Sequence, residues 1–187
     1  LTSPEDVERV LHRLYDLSAI ASFDIKTTAA PHYRRVVLQR RRAERRAGTS
    51  DEALVPRTRG VGRGRGVNDG NGFVFVSHRG EIYPSGFLPL SAGNVRTHDL
   101  HEVYRTHEMF RALRDANRLR GKCGACEFRH ICGGSRARAY AMTGDYLEAD
   151  PSCAYVPPAY AEQVARGEAD DVDTYFARRV AGWEHLA

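Results

Sequence analysis

Four cysteines, all lying between positions 123 and 153, are the residues of this chain whose types and spacing could do chemistry together. Cys123, Cys126, Cys132 and Cys153 follow the pattern C-x2-C-x5-C-x20-C, the first three inside the run GKCGACEFRHICGG. Two residues between Cys123 and Cys126 permit a tight turn that aims both sulfurs at one centre. Gly124, Gly133 and Gly134 allow backbone to approach a bulky inorganic core. Four thiolates suit either Zn²⁺ or an iron–sulfur cluster. Paired disulfides are the third use of four cysteines, and no basic-then-apolar leader points to an oxidising compartment. Structural zinc sites usually bring two short cysteine knuckles, whereas this chain has one knuckle and two wide gaps. Wide gaps suit a core whose irons approach different loops, but on spacing alone both metals stay open.

No Ser/His/Asp set or pair of carboxylates stands out elsewhere, so hydrolysis has no support. His78, at a turn, reads as solvated, and Asp145, after Gly144, reads as a loop-fixing residue. The chain has 187 residues, 42% hydrophobic and 28% charged, enough apolar content for a core in one ordinary domain or two small ones. No apolar run reaches the ~18 residues of a membrane-spanning helix, and the expected location is the cytoplasm. The net charge of +4 is unevenly placed: from Arg34 to Arg65, eleven Arg face only Glu44, Asp51 and Glu52. The remaining chain is therefore acidic on balance, unlike a uniformly basic nucleic-acid-binding face. The segment from Arg40 to Gly66 is rich in Arg and Gly, poor in apolar residues and free of aromatics, and is expected to be a mobile linker. Its GxGxG stretch (Gly62, Gly64, Gly66) follows no apolar strand, which argues against a phosphate loop.

The elements that must position the cysteines are legible in outline. Ser3-Pro4-Glu5-Asp6 starts a helix whose Val7, Val10, Leu11 and Leu14 share a face. Ile20 to Ile25 reads as a short strand, and Pro31 opens a helix through Val36, Val37 and Leu38, the order of one closing unit of an α/β barrel. Phe73 to Ser77 and Glu81 to Tyr83 read as a β-hairpin, followed by a Pro- and Gly-containing loop to Asn94. Helices are expected at Asp99 to Tyr104, His107 to Arg114 (Phe110 and Leu113 inward), Ser135 to Met142, Tyr160 to Arg166 and Asp171 to Trp183. The fold class is α+β.

The run CGACEFRHICGGSRARAYAMTGDYLEADPSC resembles the auxiliary-cluster region of radical S-adenosylmethionine proteins of the SPASM and twitch kind, most closely the haem-biosynthesis-like branch. Lys26 to Arg35, KTTAAPHYRR, and Gly72 to Val95, GFVFVSHRGEIYPSGFLPLSAGNV, extend the resemblance to roughly Ser3–Pro157. It implies that Cys123, Cys126, Cys132 and Cys153 hold one auxiliary [4Fe–4S] cluster. Full SPASM domains place further cysteines where this chain has Ser85 and Arg136, so a single cluster is expected. The C-x3-C-x2-C loop of the superfamily is absent and the first residue is Leu1, as in the C-terminal part of such an enzyme. Such a part would not cleave S-adenosylmethionine alone; the complete protein would add that cofactor and a second [4Fe–4S] cluster.

The resemblance divides the chain into a barrel remnant (1–40), a basic linker (41–66), the auxiliary domain (67–158) and a helical tail (159–187). It implies a tetrapyrrole or peptide substrate, a reducing partner such as ferredoxin or flavodoxin, and a cluster engaged in electron transfer. Arg129, His130, Arg136 and Arg138 surround the cysteine run with charge that could stabilise an anionic cluster or bind a carboxylated substrate. Arg136, together with His32 and Tyr33 in the loop after the expected last barrel strand, are the candidate substrate contacts. The rival reading is a non-catalytic four-cysteine Zn²⁺ module whose basic arm meets nucleic acid or another partner.

Overall fold

The computed structural model describes residues 2–48 and 68–180. Helix α1 (Pro4–Ser18) begins where Ser3 Oγ accepts the Asp6 amide at 3.1 Å, with Pro4 in the first turn. Its packed stripe is Val7, Leu11, Leu14 and Tyr15, while Val10, expected on that face, is 53% exposed. Helix α2 (His32–Arg46) lays Tyr33, Val36 and Val37 against α1, and Ile25 closes the same core. The expected strand from Ile20 to Ile25 does not form. A strand needs a hydrogen-bonding neighbour, and among the described residues the one sheet is elsewhere. Ile20 and Phe23 instead lie on the surface.

The arginine run begins inside α2 rather than in a linker, because the helix continues to Arg46. Tyr15 and Asp16 of α1 hold it there: Tyr15 donates its hydroxyl to Glu44 at 2.7 Å, and Arg40 donates to Asp16 at 2.6 Å and stacks over the Tyr15 ring at 4.8 Å. The rest of the expected linker, with the GxGxG stretch, lies outside the described residues.

The second core gathers around a minimal hairpin. Strands β1 (Phe75–Val76) and β2 (Ile82–Tyr83) pair antiparallel, Phe75 opposite Tyr83 and Val76 opposite Ile82, which makes them shorter than the composition promised. The loop after β2 folds back along it through Ile82–Gly93 and Ala92–Ile82 backbone bonds of 2.8 Å, burying Ile82 and Leu88 completely. Helices α3 (Leu100–Thr106, capped by Asp99) and α4 (Glu108–Arg114) supply Val103, Met109, Phe110 and Leu113 to this core. Phe110 and Leu113 point inward as their spacing predicts.

A short 3₁₀ turn (Ala116–Arg118) leads to α5 (Gly121–Gly124), which carries the first cysteine. Helix α6 (Arg136–Thr143) starts at the Ser135 cap and stops at Gly144, whose left-handed φ of 75° favours glycine. Helices α7 (Pro158–Ala165) and α8 (Val172–Val180) form the tail; the expected continuation to Trp183 lies outside the described residues. Tyr175 of α8 packs with Cys123 and Ala149 in a third, small core, so the tail is anchored beside the cysteines. The mixture of helices with one small sheet agrees with the α+β class.

Arg35 of α2 is 1% exposed and donates through Nη1 to Glu8 of α1 at 2.9 Å and to Gln39 at 2.7 Å. Burial alone would raise the Glu8 carboxyl, but the Arg35 guanidinium holds it below its ordinary value. A depressed carboxyl stabilises the fold above its unfolded pKa, and that contribution is lost as pH falls through the folded value. Glu8→Ala should therefore cost about 3 kcal/mol at neutral pH, because it strands a buried guanidinium. Urea unfolding at pH 7 and again near pH 3 checks this: the gap between wild type and variant should shrink in acid.

Candidate metal centre

All four cysteines are free thiols, and all four line one cavity. They arrive from two stretches of chain. Three consecutive turns deliver the first three, held by the Arg129–Cys126 and Cys132–Phe128 backbone bonds of 3.1 and 2.8 Å. Phe128 is buried beneath them, its ring edge-on to Tyr155 with centroids 5.9 Å apart. The fourth comes from the loop before α7, where Lys122 donates its ammonium to the Cys153 carbonyl.

Three backbone amides point at the sulfurs: Phe128 to Cys126 at 3.4 Å, Gly134 to Cys132 at 3.5 Å and Asp150 to Cys123 at 3.4 Å. Such donors favour thiolates over thiols, as a metal centre requires. Without metal the thiols resist ionisation. Burial pushes Cys126 up to about 12 and raises Cys132 and Cys153 as well, the last opposed by Arg35 and Lys122. Metal loading must therefore displace protons. Arg35, Lys122 and Arg129 share the cavity wall with the cysteines, and the first two are almost fully buried. Buried cations need a counter-charge, and a core held by four thiolates would supply one.

Asp150 organises the surroundings. It is fully buried and accepts from the Ser135 amide at 2.6 Å and from Arg138 Nε and Nη2 at 2.8 and 2.9 Å. His32 Nε2 of α2 stands 3.0 Å away. Burial would raise this carboxyl, yet His32 and Arg138 hold it far below the usual range.

Of the other residues the sequence singles out, His32 lines the cavity and is 1% exposed. Tyr33 is equally buried and bonds the Leu14 carbonyl at 3.3 Å, which fixes α2 on α1. Arg136 is 2% exposed and spends its guanidinium on the carbonyls of Tyr146 (2.9 Å), Glu148 (2.7 Å) and Gly134 (3.4 Å), with Cys123 Sγ at 3.8 Å. All three therefore meet protein groups in the described structure. His130 and His78 are exposed. Ser85, in the position of a second-cluster cysteine, is buried and caps its own turn by accepting from the Phe87 and Leu88 amides at 3.1 and 3.2 Å. Sequence reasoning missed Asp150 and Arg35. Both were visible as charged residues one helical turn or less from singled-out ones, Arg35 three after His32 and Asp150 three before Cys153.

No family model matches the chain. Curated proteins do. An AdoMet-dependent heme synthase of Methanosarcina barkeri is 43% identical over 156 residues, 83% of this chain and 43% of that protein. A pre-heme d1 synthase of Dinoroseobacter shibae is 31% identical over 124 residues, 64% of this chain and 29% of that protein. A PqqA peptide cyclase of Bradyrhizobium diazoefficiens is 30% identical over 121 residues, 60% of this chain and 32% of that protein. The chain belongs with the radical SAM, SPASM-type proteins of the haem-biosynthesis branch. It spans less than half the length of the curated relatives it matches.

Within this radical SAM relative, Gly134 lines the cavity with no space for a side chain. Its φ is +66°, and a Cβ there would sit 2.6 Å from Arg136 Nη2, 2.8 Å from Asp150 Cβ and 3.2 Å from Cys123 Sγ. Gly134→Ala should cost at least the roughly 1–2 kcal/mol of a left-handed alanine, and urea unfolding of the variant checks this.

Proposed function

We propose that this chain is the C-terminal, auxiliary [4Fe–4S]-binding region of a radical S-adenosylmethionine enzyme that acts on a tetrapyrrole, with the cluster in electron transfer. One observation carries the reading: four free thiols from two stretches of chain line a single cavity, with backbone amides aimed at three of them. The residues present suit the group. Cys123, Cys126, Cys132 and Cys153 are the ligands, and Gly134 lets the backbone pass close beside Cys123 and Asp150 where a side chain would collide. In this reading residues 67–158 are the SPASM or twitch domain and 159–187 its tail. Residues 1–40 are the last barrel unit and 41–66 the linker, with α2 running past that boundary to Arg46.

When bound, the cluster supplies a one-electron donor or acceptor site. With a cysteine for each iron, no iron is left open to bind substrate, which favours electron transfer over substrate ligation. The chain's own groups do the rest: the amides of Phe128, Gly134 and Asp150 steady the thiolates, and the buried Lys122 and Arg35 offset their charge. Among the described residues no three His, Cys, Asp or Glu side chains meet as the ligand set of a single ion. Structural zinc sites usually bring two short cysteine knuckles, whereas this chain has one knuckle and two wide gaps, which supports the cluster over the zinc module. The tetrapyrrole is favoured over a peptide because the relative 43% identical over 83% of this chain is named for haem synthesis, whereas peptide cyclases reach 28–36% over 46–60% of it. This chain carries no C-x3-C-x2-C loop, so S-adenosylmethionine, the second cluster and the docking of a ferredoxin or flavodoxin belong to the complete protein. No described helix is long and apolar enough to cross a membrane.

Anaerobic reconstitution should yield a brown protein with broad visible absorbance and about four irons per chain. Cys126→Ala should lose iron and unfold at lower denaturant, because metal binding and folding are linked. A colourless protein with one zinc would overturn the proposal, and a variant that keeps its iron would overturn the ligand assignment.

A further inference from the structure

The cavity wall contributed by α2 holds two buried nitrogen groups without hydrogen-bond partners. Arg35 Nε has none, although the rest of its guanidinium is engaged: Nη1 with Glu8 and Gln39, and one face with the Tyr155 ring, 4.8 Å from its centroid. One turn earlier His32 Nδ1 is also unpartnered, and its Nε2 stands 3.0 Å from Asp150 without meeting hydrogen-bond geometry. Both side chains line the cysteine cavity and both are 1% exposed. Buried polar groups are almost always satisfied, so an orphan beside a cavity calls for a specific acceptor. A guanidinium N–H is never an acceptor and stays charged, so the missing partner must be an acceptor. The anionic sulfurs of a cluster are such acceptors, and Cys132 and Cys153 lie close enough to Arg35 to act on its charge.

We propose that Arg35, seconded by His32, is a positioning residue that donates an N–H from α2 to the sulfurs of the auxiliary cluster, setting its reduction potential and tying the α1–α2 unit to the cluster's redox state. The proposal rests on the cluster reading above. Hydrogen bonds to cluster sulfurs and fixed positive charge both stabilise the more reduced, more negative core. Arg35 also remains bonded to Glu8 of α1, so the contact would join the two parts of the described chain through a single side chain. None of the signals in the cysteine run points to it, because α2 lies some ninety residues earlier in the sequence.

The test uses the anaerobically reconstituted chain, with iron analysis and an EPR-monitored redox titration of the wild type, Arg35→Lys and the paired Glu8→Gln/Arg35→Met. The paired variant removes both charges together and so avoids stranding Glu8. The expected result is unchanged iron content with the midpoint displaced to more negative potential in both variants, further in the paired one. Pulsed EPR of ¹⁵N-arginine-labelled reduced protein should show nitrogen couplings of which Arg35→Lys removes one, while that of Arg136 beside Cys123 persists, a readout that a purely structural role would not move. A wild-type midpoint in Arg35→Lys, or a set of nitrogen couplings unaltered by it, overturns the proposal. A wild type that takes up no iron overturns the cluster reading instead.

Discussion

A single buried carboxylate holds the cysteine region together. Asp150 has no exposed surface, and taking an ion of its size out of water costs several kcal/mol even after relaxation. It recovers that cost by collecting charge-assisted bonds, each worth about 1.5–3 kcal/mol, from the Ser135 amide at the start of α6 and from Arg138 one turn on. His32 Nε2 of α2 stands 3.0 Å from one of its oxygens. The amide of Asp150 meanwhile points to Cys123, so one residue orients the first cysteine loop, the helix after the third cysteine and the neighbouring helical pair. Remove the carboxylate and three separate elements lose their common reference.

The surrounding charges follow from that arrangement. Arg136 could not be a surface cation here, because its guanidinium fills the space between the carbonyls of Tyr146 and Glu148 and the Cys123 sulfur. Lys122 is turned inward onto the Cys153 carbonyl with its ammonium near the Phe176 ring, which also binds the tail to the cysteine loops. A cavity walled by thiols and buried cations is unfavourable when empty of charge and well suited to an anionic core. In the proposed cluster reading, stability and metal binding would be expressions of the same electrostatic balance.

The two short elements at the hairpin show where sequence patterns mislead. Phe73 to Ser77 is rich in strand formers, yet only Phe75 and Val76 pair, and both face solvent. What buries Ile82 is the returning loop through Gly93 and Ala92, a non-local contact with no periodic signature. The failed strand from Ile20 to Ile25 has the same origin. Apolar composition allows a strand, but hydrogen-bonding partners decide whether it exists.

Local chemistry was legible from the residues alone: the C-x2-C knuckle, the helix starts at Ser3, Asp99 and Ser135, the stop at Gly144 and the inward Phe110 and Leu113. Each depends on neighbours within a turn or two, so spacing suffices to reveal it. The convergence of Cys153 with the other cysteines, the burial of Asp150 and Arg136, and the reach of His32 and Arg35 across the chain into the cysteine cavity were decided only by tertiary structure. Desolvation is the physical reason. A charged residue is indistinguishable in sequence whether it meets water or a partner, and only the packing of distant segments determines which.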